Sequence, residues 1–249
     1  MIKLPYPPLE MVKRIGHTNY DAFDNPTGQR VFPELESFSV LDIGCGCGRL
    51  ARQFLQQNIP PRYYLGIDIN LEMVQWCQAN IVNPPWEFYH SNVHNRALNP
   101  NGKLTWEPIP SIDGVFTLAV AWSLFTHVLE TEVVKNLSEV SRCLASGRYL
   151  VSTWFLFEKK GFPFMQEFQN ALYINLEDPI NAVVYDQAFV ASIFTAAGLV
   201  IRKVVPPAVR GHQWVIYAEK STEGVHISFP EDMASFGLAR PPVSEKEEN

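Results

Sequence analysis

Residues 40–50 have the sequence VLDIGCGCGRL, and this stretch decides the fold. It passes from an apolar strand, predicted over 38–43, through Gly44, Gly46 and Gly48 into a helix predicted over 49–57. Glycine at such places lets the chain turn tightly and lets a ligand approach bare backbone. The N-terminus of the helix that follows presents unpaired N–H groups to a carboxylate or a phosphate. The stretch therefore predicts a ligand-binding loop at the end of a buried strand.

Short apolar runs alternate with amphipathic segments along the rest of the chain. The predicted strands cover 63–67, 86–89, 115–121, 148–155, 199–205 and 212–219, and the predicted helices cover 71–79, 132–144 and 187–197. Ser146-Gly147 is expected to end the helix over 132–144. This alternation is typical of an α/β fold with a mainly parallel sheet, in which ligands lie beyond the carboxyl ends of the strands.

The domain organisation follows from the same pattern. We expect one domain over 31–220, an arm or lid over 1–30 with a short helix near 9–15, and a partly disordered tail over 221–249. Residues 156–185 form an insertion on the substrate side. Six aromatic residues predict either a lid with aromatic walls or ordinary core packing: Trp154, Phe155, Phe157, Phe162, Phe164 and Phe168.

Composition limits the classes of function. The net charge of −6 over 249 residues argues against nucleic acid as a partner and against an electrostatic membrane anchor. The longest apolar stretch, 115–129, is shorter than the roughly 20 residues of a membrane span and contains polar residues. Four cysteines show no disulfide framework for a chain of this length, which favours a reducing, cytoplasmic setting. Nothing in the sequence indicates the oligomeric state.

Two acids distinguish between possible ligands of the glycine loop. The glycines alone are ambiguous, because Gly46, Gly48 and Ala51 also fit the GxGxxA spacing of a dinucleotide-binding loop. Asp42, two residues before the first glycine, would repel a pyrophosphate but suits an ammonium group, directly or through water. Asp68, at the end of the second strand, is placed to accept both hydroxyls of a ribose. The pair favours a nucleoside without phosphates.

Three segments resemble the class I S-adenosylmethionine-dependent methyltransferases: VLDIGCGCGR at 40–49, LGIDINLEM at 65–73 and SLFTHVLETEVVKNLSEVSRCL at 123–144. More narrowly, they are similar to bacterial members that carry an F-T-H tripeptide after the fourth strand. The likeness covers about residues 10–155. It implies a Rossmann-like, seven-stranded, mainly parallel sheet with helices on both faces and the last strand antiparallel. It also implies S-adenosylmethionine as cofactor and methyl transfer as the reaction.

The resemblance assigns cofactor-binding roles residue by residue. Ile69 and Met73 would sandwich the adenine, although Met73 also fits ordinary core packing, and Arg14 would pair with the methionine carboxylate. Asn92 stands where the family usually has Asp and can still accept a hydrogen bond from the adenine amino group. The full expected set is Arg14, Asp42, Gly44, Cys45, Gly46, Gly48, Asp68, Ile69, Met73, Asn92, Val93, Ala121 and Trp122.

His127 is the candidate general base, with loop orientation by hydrogen bonding as the alternative. We expect no metal site. His90 and His94 lie in a strand-to-loop segment, residues 121–123 contain no Asp, and Cys45 and Cys47 fit better as small packing residues. The predicted function is methyl transfer to an O or N atom of a small molecule, such as a sugar or secondary metabolite. A catalytically inactive binder of the cofactor and an NAD(P)-dependent oxidoreductase are the alternatives.

Overall fold

The computed structural model describes residues 4–15, 32–161, 164–207 and 212–231. Nine strands lie in these residues: β1 (Ser39–Ile43), β2 (Tyr63–Asp68), β3 (Glu87–His90), β4 (Phe116–Ala121), β5 (Leu144–Phe157), β6 (Ala171–Tyr173), β7 (Val183–Asp186), β8 (Leu199–Val205) and β9 (Trp214–Lys220). Five helices accompany them: α1 (Leu9–Arg14), α2 (Arg49–Gln56), α3 (Leu71–Asn80), α4 (Glu130–Cys143) and α5 (Gln187–Ala196). Two 3₁₀ turns cover Lys159–Gly161 and Pro179–Asn181.

Seven of the strands form the predicted doubly wound sheet. Their order is β3-β2-β1-β4-β5-β9-β8, and β1 to β5 pair in parallel. The last strand, β9, lies antiparallel between β5 and β8. The α/β class, the mainly parallel sheet and the antiparallel last strand are confirmed.

Apolar residues bury both faces of the central strands. All five residues of β1 are buried, as expected where helices cover a parallel sheet on each side. One face packs against α2 and α3 through Leu50, Phe54 and Val74. The opposite face packs against α4 and α5 through residues that include Leu137 and Phe194. This arrangement places the loops at the carboxyl ends of β1, β2 and β4 along one edge of the sheet.

The boundary between α4 and β5 differs from the prediction. The helix ends at Cys143 and β5 begins at Leu144, so Ser146-Gly147 lies inside the strand rather than ending the helix. The pairing between β4 and β5 jumps from Phe116↔Leu144 to Leu118↔Tyr149. Gly147 lies in this bulge with φ +71°, a conformation that glycine adopts readily.

The insertion adds two strands that the sequence did not predict. β7 pairs in parallel with the upper end of β5, and β6 pairs with β7. Of the two roles predicted for the six aromatic residues, core packing holds for only one of the described ones. Only Trp154 is buried, Phe155 and Phe157 are half-buried, and Phe164 and Phe168 are exposed. Phe162 lies outside the described residues.

The chain termini are described in part. Of the arm, 4–15 are described and contain the predicted short helix. Of the tail, 221–231 are described, and Ile227 N donates to Ile201 O at 3.1 Å along β8. The predicted disorder of the last residues falls on 232–249, outside the described part. None of the helices in the described residues is long and apolar enough to cross a bilayer.

Candidate functional site

The glycine loop joins β1 to α2 through three left-handed glycines. Gly44, Gly46 and Gly48 have φ of +76°, +53° and +77°, where L side chains are disfavoured. Gly48 also has no room for a side chain, because a Cβ there would lie 2.3 Å from Ile81 Cδ1 and 3.1 Å from Cys77 Sγ. Backbone conformation and the close packing of α3 both require glycine at this position.

Four N–H groups of the loop are already used within the protein. Gly44 N and Cys45 N donate to Ile67 O at 2.8 and 3.0 Å, and Gly48 N donates to Cys45 O at 3.0 Å. Gly46 N donates to Asp68 Oδ2 at 2.8 Å. A loop that cradles a pyrophosphate offers such groups to the ligand. Their internal use argues against a dinucleotide at this loop.

Asp42 and Asp68 lie on the same face of neighbouring strands. Asp42 is paired with Gly66 in the parallel register of β1 and β2, so Asp68 is two residues further along on the same face. The Tyr64 hydroxyl, from β2, donates a hydrogen bond to Asp42 Oδ2. Asp42 is buried, with 3% of its surface exposed. The two predicted carboxylates therefore share the carboxyl edge of the sheet beside the glycine loop.

Backbone donors hold the Asp68 carboxylate. Its Oδ2 accepts from Gly46 N and its Oδ1 accepts from Asn70 N at 2.8 Å. Burial raises the pKa of Asp68, and the backbone donors and the nearby His90 partly offset that rise. The backbone of Ile69 also donates to this carboxylate, which keeps one lone pair for a further donor. The group is therefore oriented for a ligand that presents hydroxyl groups.

Protonated thiols line the loop. Burial raises the pKa of Cys45 well above its ordinary value and that of Cys47 to about 11. The thiols of Cys45 and Cys77 donate to Gly46 O, at S···O distances of 3.7 and 3.5 Å. All four cysteines of the chain are free and buried. Within the described part of the chain no group of three or more His, Cys, Asp or Glu could hold a metal ion.

The predicted adenine-contacting residues occupy different environments. Met73 is buried in an apolar cluster with Met11, Val12 and Cys47, which is the ordinary packing role that its sequence position also allowed. Ile69, beside Asp68, is half-buried, and its carbonyl accepts from His90 Nε2 at 3.1 Å. Contact of Ile69 or Met73 with an adenine stays a prediction.

A loop after β3 holds Asn92 and Val93. Asn99 Nδ2 donates to Asn92 Oδ1 at 3.2 Å and to Val93 O at 3.0 Å. Asn70, which caps α3, donates from Nδ2 to Leu98 O at 3.4 Å and so connects this loop to the Asp68 segment. The Asn92 amide oxygen keeps one lone pair, and its predicted bond to the adenine amino group would use that position.

The loop after β4 touches the glycine loop. Ala121 is fully buried at the end of β4, and Trp122 packs its ring 6.2 Å from the ring of Phe32. A Cβ on Gly44 would meet Leu124 Cδ1 at 3.5 Å. The structure thus brings Ala121 and Trp122 to the same edge as Asp42 and Asp68.

His127 connects the loop after β4 to the insertion. Its Nδ1 lies 3.1 Å from Ile180 O, and because a carbonyl only accepts, Nδ1 carries the proton. Thr126 O accepts from Val183 N at 2.9 Å, and Val128 O accepts from the Tyr185 hydroxyl at 2.6 Å. One bond of His127 and one from each of its two neighbours therefore connect this loop to the insertion. A role of His127 as general base stays a prediction.

Arg14 ends α1 near the glycine loop. Its Nη1 lies 3.1 Å from Glu72 Oε2 in an exposed ion pair, so the predicted pairing with a methionine carboxylate would have to replace or share this contact. The neighbouring Ile15 covers Gly46, with its Cγ2 3.2 Å from where a Cβ would be. Arg49 Nη2 donates to Ile15 O at 3.0 Å. The described part of the arm therefore packs on the loop.

Three residues of this region were missed by the sequence analysis. Ser123 and Gln213 lie near this edge and Tyr64 reaches Asp42 from within β2, but none of the three stands out by its residue type in the sequence. For Tyr64, the sequence indicated only that the residue belongs to a predicted strand. Ser123 has φ +58°, which sequence patterns do not reveal in a non-glycine residue.

Comparison with known proteins agrees with this geometry. A family model described as a methyltransferase domain matches residues 40–147. The solved structure of a SAM-dependent methyltransferase from Methanosarcina mazei covers 78% of this chain and 99% of its own, with a TM-score of 0.52 and 21% identity. One from Aquifex aeolicus covers 86% and 98%, with a TM-score of 0.53 and 22% identity. These two likenesses establish the fold.

A curated relative matches a shorter part of the chain. The tRNA1(Val) (adenine(37)-N6)-methyltransferase of Yersinia enterocolitica is 32% identical over 71 residues. That match covers 27% of this chain and 28% of the relative's length.

The fold is a Rossmann-like domain in which a glycine loop lies beside two carboxylates, at the ends of β1 and β2. Residues 40–147 match a methyltransferase domain, and the fold around them is that of the solved SAM-dependent methyltransferases.

Proposed function

We propose that this protein transfers the methyl group of S-adenosylmethionine to an oxygen or nitrogen atom of a small molecule, such as a sugar or secondary metabolite. The observation that carries the proposal is the pair Asp42 and Asp68 on one face of β1 and β2, beside the glycine loop. Two carboxylates there suit a cationic nucleoside and repel a pyrophosphate.

The residues present fit this cofactor. Asp68 keeps a lone pair for a ribose hydroxyl, and Asp42, held by the Tyr64 hydroxyl, would face the amino-acid end of the ligand. The N–H groups of Gly44, Cys45, Gly46 and Gly48 have partners in the protein, so a ligand without phosphates loses nothing there. The same observation argues against the alternative of an NAD(P)-dependent oxidoreductase.

The chain's own contribution to the reaction is chiefly positional. S-adenosylmethionine supplies, when bound, a methyl group on a positively charged sulfur that is already electrophilic. The protein then needs to align the acceptor atom with that methyl group, and good alignment lowers barriers by several kcal/mol. For a hydroxyl acceptor, His127 Nε2 would receive the proton, because Nδ1 is protonated and donates to Ile180 O.

Binding of S-adenosylhomocysteine to Asp68→Asn tests the proposal. Hydrogen bonds to a charged group are worth about 1.5–3 kcal/mol, so we expect affinity to fall by about tenfold to a hundredfold in isothermal titration calorimetry. Asp113→Asn is the matched control, because Asp113 lies at the other end of the sheet with its side chain 77% exposed. Equal affinity of the Asp68 variant and the wild type would overturn the assignment of the site.

An RNA acceptor is a second candidate, favoured by the similarity of 71 residues to a tRNA methyltransferase. The net charge of −6 favours the small molecule instead. Transfer of a radiolabelled methyl group into unmodified tRNA or into a metabolite fraction would distinguish them. Cofactor binding without transfer to either would indicate the inactive binder.

A further inference from the structure

Ser123 has an unusual backbone at the carboxyl end of β4. Its φ of +58° lies in the left-handed region, which residues other than glycine seldom adopt. Such conformations persist where surrounding contacts hold them, and they cluster at functional sites. Ser123 also precedes Leu124, whose Cδ1 would lie 3.5 Å from a Cβ placed on Gly44 of the glycine loop.

Two neutral side chains hold Ser123 in this conformation. Its N–H donates to Thr153 Oγ1 at 2.7 Å, and Thr153 is fully buried in β5. Gln213 Nε2 donates to Ser123 Oγ at 2.8 Å. Gln213 precedes β9, which pairs with β5 through Trp154↔Trp214 and Thr153↔Val215. The carboxyl end of β4, the middle of β5 and the residue before β9 therefore meet at this serine.

The pair Ser123–Gln213 keeps hydrogen-bonding capacity for a ligand. Because Ser123 Oγ accepts from Gln213, its own proton is available as a donor. Gln213 Oε1 has no hydrogen-bond partner among the described residues and is available as an acceptor. In either orientation of the Gln213 amide, the pair presents one donor and one acceptor side by side.

An aromatic cluster begins at the residue before Ser123 and continues onto β9, the strand that follows Gln213. Trp122 precedes Ser123 and packs against Phe32, whose ring lies 5.9 Å from that of Tyr217 on β9. Every hydrogen bond of Ser123 and Gln213 among the described residues is to a neutral group. The surroundings thus suit a flat, uncharged molecule better than a carboxylate or phosphate.

We propose that Ser123 and Gln213 form the polar edge of the acceptor pocket. They bind a neutral planar ring that carries an N–H group next to a carbonyl group, as in a cyclic amide. This inference rests on the proposed function, because it places the acceptor beside the cofactor loop. It adds the chemical class of the acceptor, which narrows the small molecule to a flat heterocycle.

The probe that tests this proposal is 2-quinolone, a planar bicyclic amide, added to protein saturated with S-adenosylhomocysteine. Binding is followed by saturation-transfer NMR with the wild type, Ser123→Gly and Gln213→Leu. Glycine suits the left-handed backbone, so Ser123→Gly removes the hydroxyl without straining the fold. Ser192→Ala, on the exposed side of α5, is the control serine.

We expect 2-quinolone to bind the wild type and the Ser192 variant equally. Loss of one hydrogen bond should weaken its binding to Ser123→Gly and Gln213→Leu by about threefold to tenfold. N-methyl-2-quinolone, which lacks the donor, should bind the wild type more weakly by a similar factor. S-adenosylhomocysteine should bind all four proteins alike.

Two results separate this proposal from the one on which it rests. If S-adenosylhomocysteine binds but 2-quinolone does not, or binds the wild type and both pocket variants equally, the acceptor site is wrong and the methyltransferase assignment stands. If S-adenosylhomocysteine fails to bind the wild type, both proposals fail.

Discussion

Tyr64 orients Asp42 from the neighbouring strand. Its hydroxyl donates to Asp42 Oδ2, and its ring is fully buried between Trp86 and Phe88. Because the hydroxyl is buried, its pKa is raised well above the ordinary value, so it remains a donor. The residue therefore belongs to the site although it cannot reach solvent.

Tyr64→Phe should weaken binding of S-adenosylhomocysteine and destabilise the protein. The variant keeps the packing of the ring but removes one donor from a buried carboxylate, which costs about 1–3 kcal/mol. Urea unfolding measures the stability, and calorimetry measures the affinity. Unchanged values for both would show that the hydroxyl does not support Asp42.

His226 makes stability depend on pH. Its Nδ1 accepts from Ile201 N at 2.8 Å, so this nitrogen is unprotonated, while Nε2 bonds to Thr195 Oγ1 at 2.6 Å. Burial and the nearby Arg202 lower the pKa of His226 below the ordinary 6.5. The unfolded chain therefore takes up the proton at a higher pH than the folded protein does.

Stability should fall as pH drops below the ordinary histidine value, because protonation breaks the bond to Ile201 N. The urea midpoint of the wild type should decrease between about pH 7.5 and about pH 5.5. His226→Gln should show a smaller decrease over that interval. An identical pH dependence in the variant would contradict the role of His226.

Individual site residues could be predicted from the sequence where they belong to a motif with fixed spacing. Asp42 and Asp68 were found from their spacing around the glycines, and the structure places them on one face. Tyr64, Ser123 and Gln213 could not be found, because they act through contacts between strands that are distant in the chain. The burial of aromatic residues could not be predicted either. Trp154 is buried and Phe168 is exposed, because tertiary packing decides which aromatic side chain the core covers.

Among contacts between secondary-structure elements, the packing of the glycine loop against α3 positions the site. Gly48→Ala would place a Cβ 2.3 Å from Ile81 Cδ1 in a left-handed backbone. Gly114→Ala is the matched control, because Gly114 has φ +69° and nothing within 4 Å of such a Cβ.

The Gly114 variant should lose about 1–2 kcal/mol from backbone strain alone. The Gly48 variant should lose about 1–3 kcal/mol more, because overpacking adds to that strain. The free energy of unfolding in urea measures both. Equal losses would show that α3 does not pack tightly on the loop.

The insertion is held to the core by the segment 126–128. The Tyr185 hydroxyl donates to Val128 O at 2.6 Å, and the bonds from His127 and Val183 lie on either side of it. Tyr185→Phe should speed hydrogen exchange in β6 and β7, while Tyr173→Phe, at a partly exposed tyrosine of β6, should not. Equal exchange in the two variants would contradict this anchoring.

Helices and strands with a strong hydrophobic periodicity were predicted well. Strands that form only through pairing with a distant strand were predicted poorly. The helices over 49–56 and 187–196 match their predicted spans to within a residue. The strands β6 and β7 were missed because each is only three or four residues long and forms by pairing beyond the main sheet. The early start of β5 was missed because the sequence Ser146-Gly147, which forms the bulge, is also typical of the end of a helix.

The whole molecule is organised around the carboxyl edge of its sheet. The order β3-β2-β1-β4-β5-β9-β8 places β1 and β4 side by side at the point where the connections change direction. Ligands of doubly wound sheets bind at this point. The topology could be anticipated from the alternation and the resemblance, whereas the acceptor pocket depends on β9 reaching β5 from far along the chain.

Titration of the wild-type protein with S-adenosylhomocysteine and, separately, with NADH tests the central claim most directly. That claim is that Asp42 and Asp68 make the glycine loop a site for a nucleoside without phosphates. Calorimetry should show saturable binding of S-adenosylhomocysteine and none of NADH. Binding of NADH, or binding of neither ligand, would contradict the account.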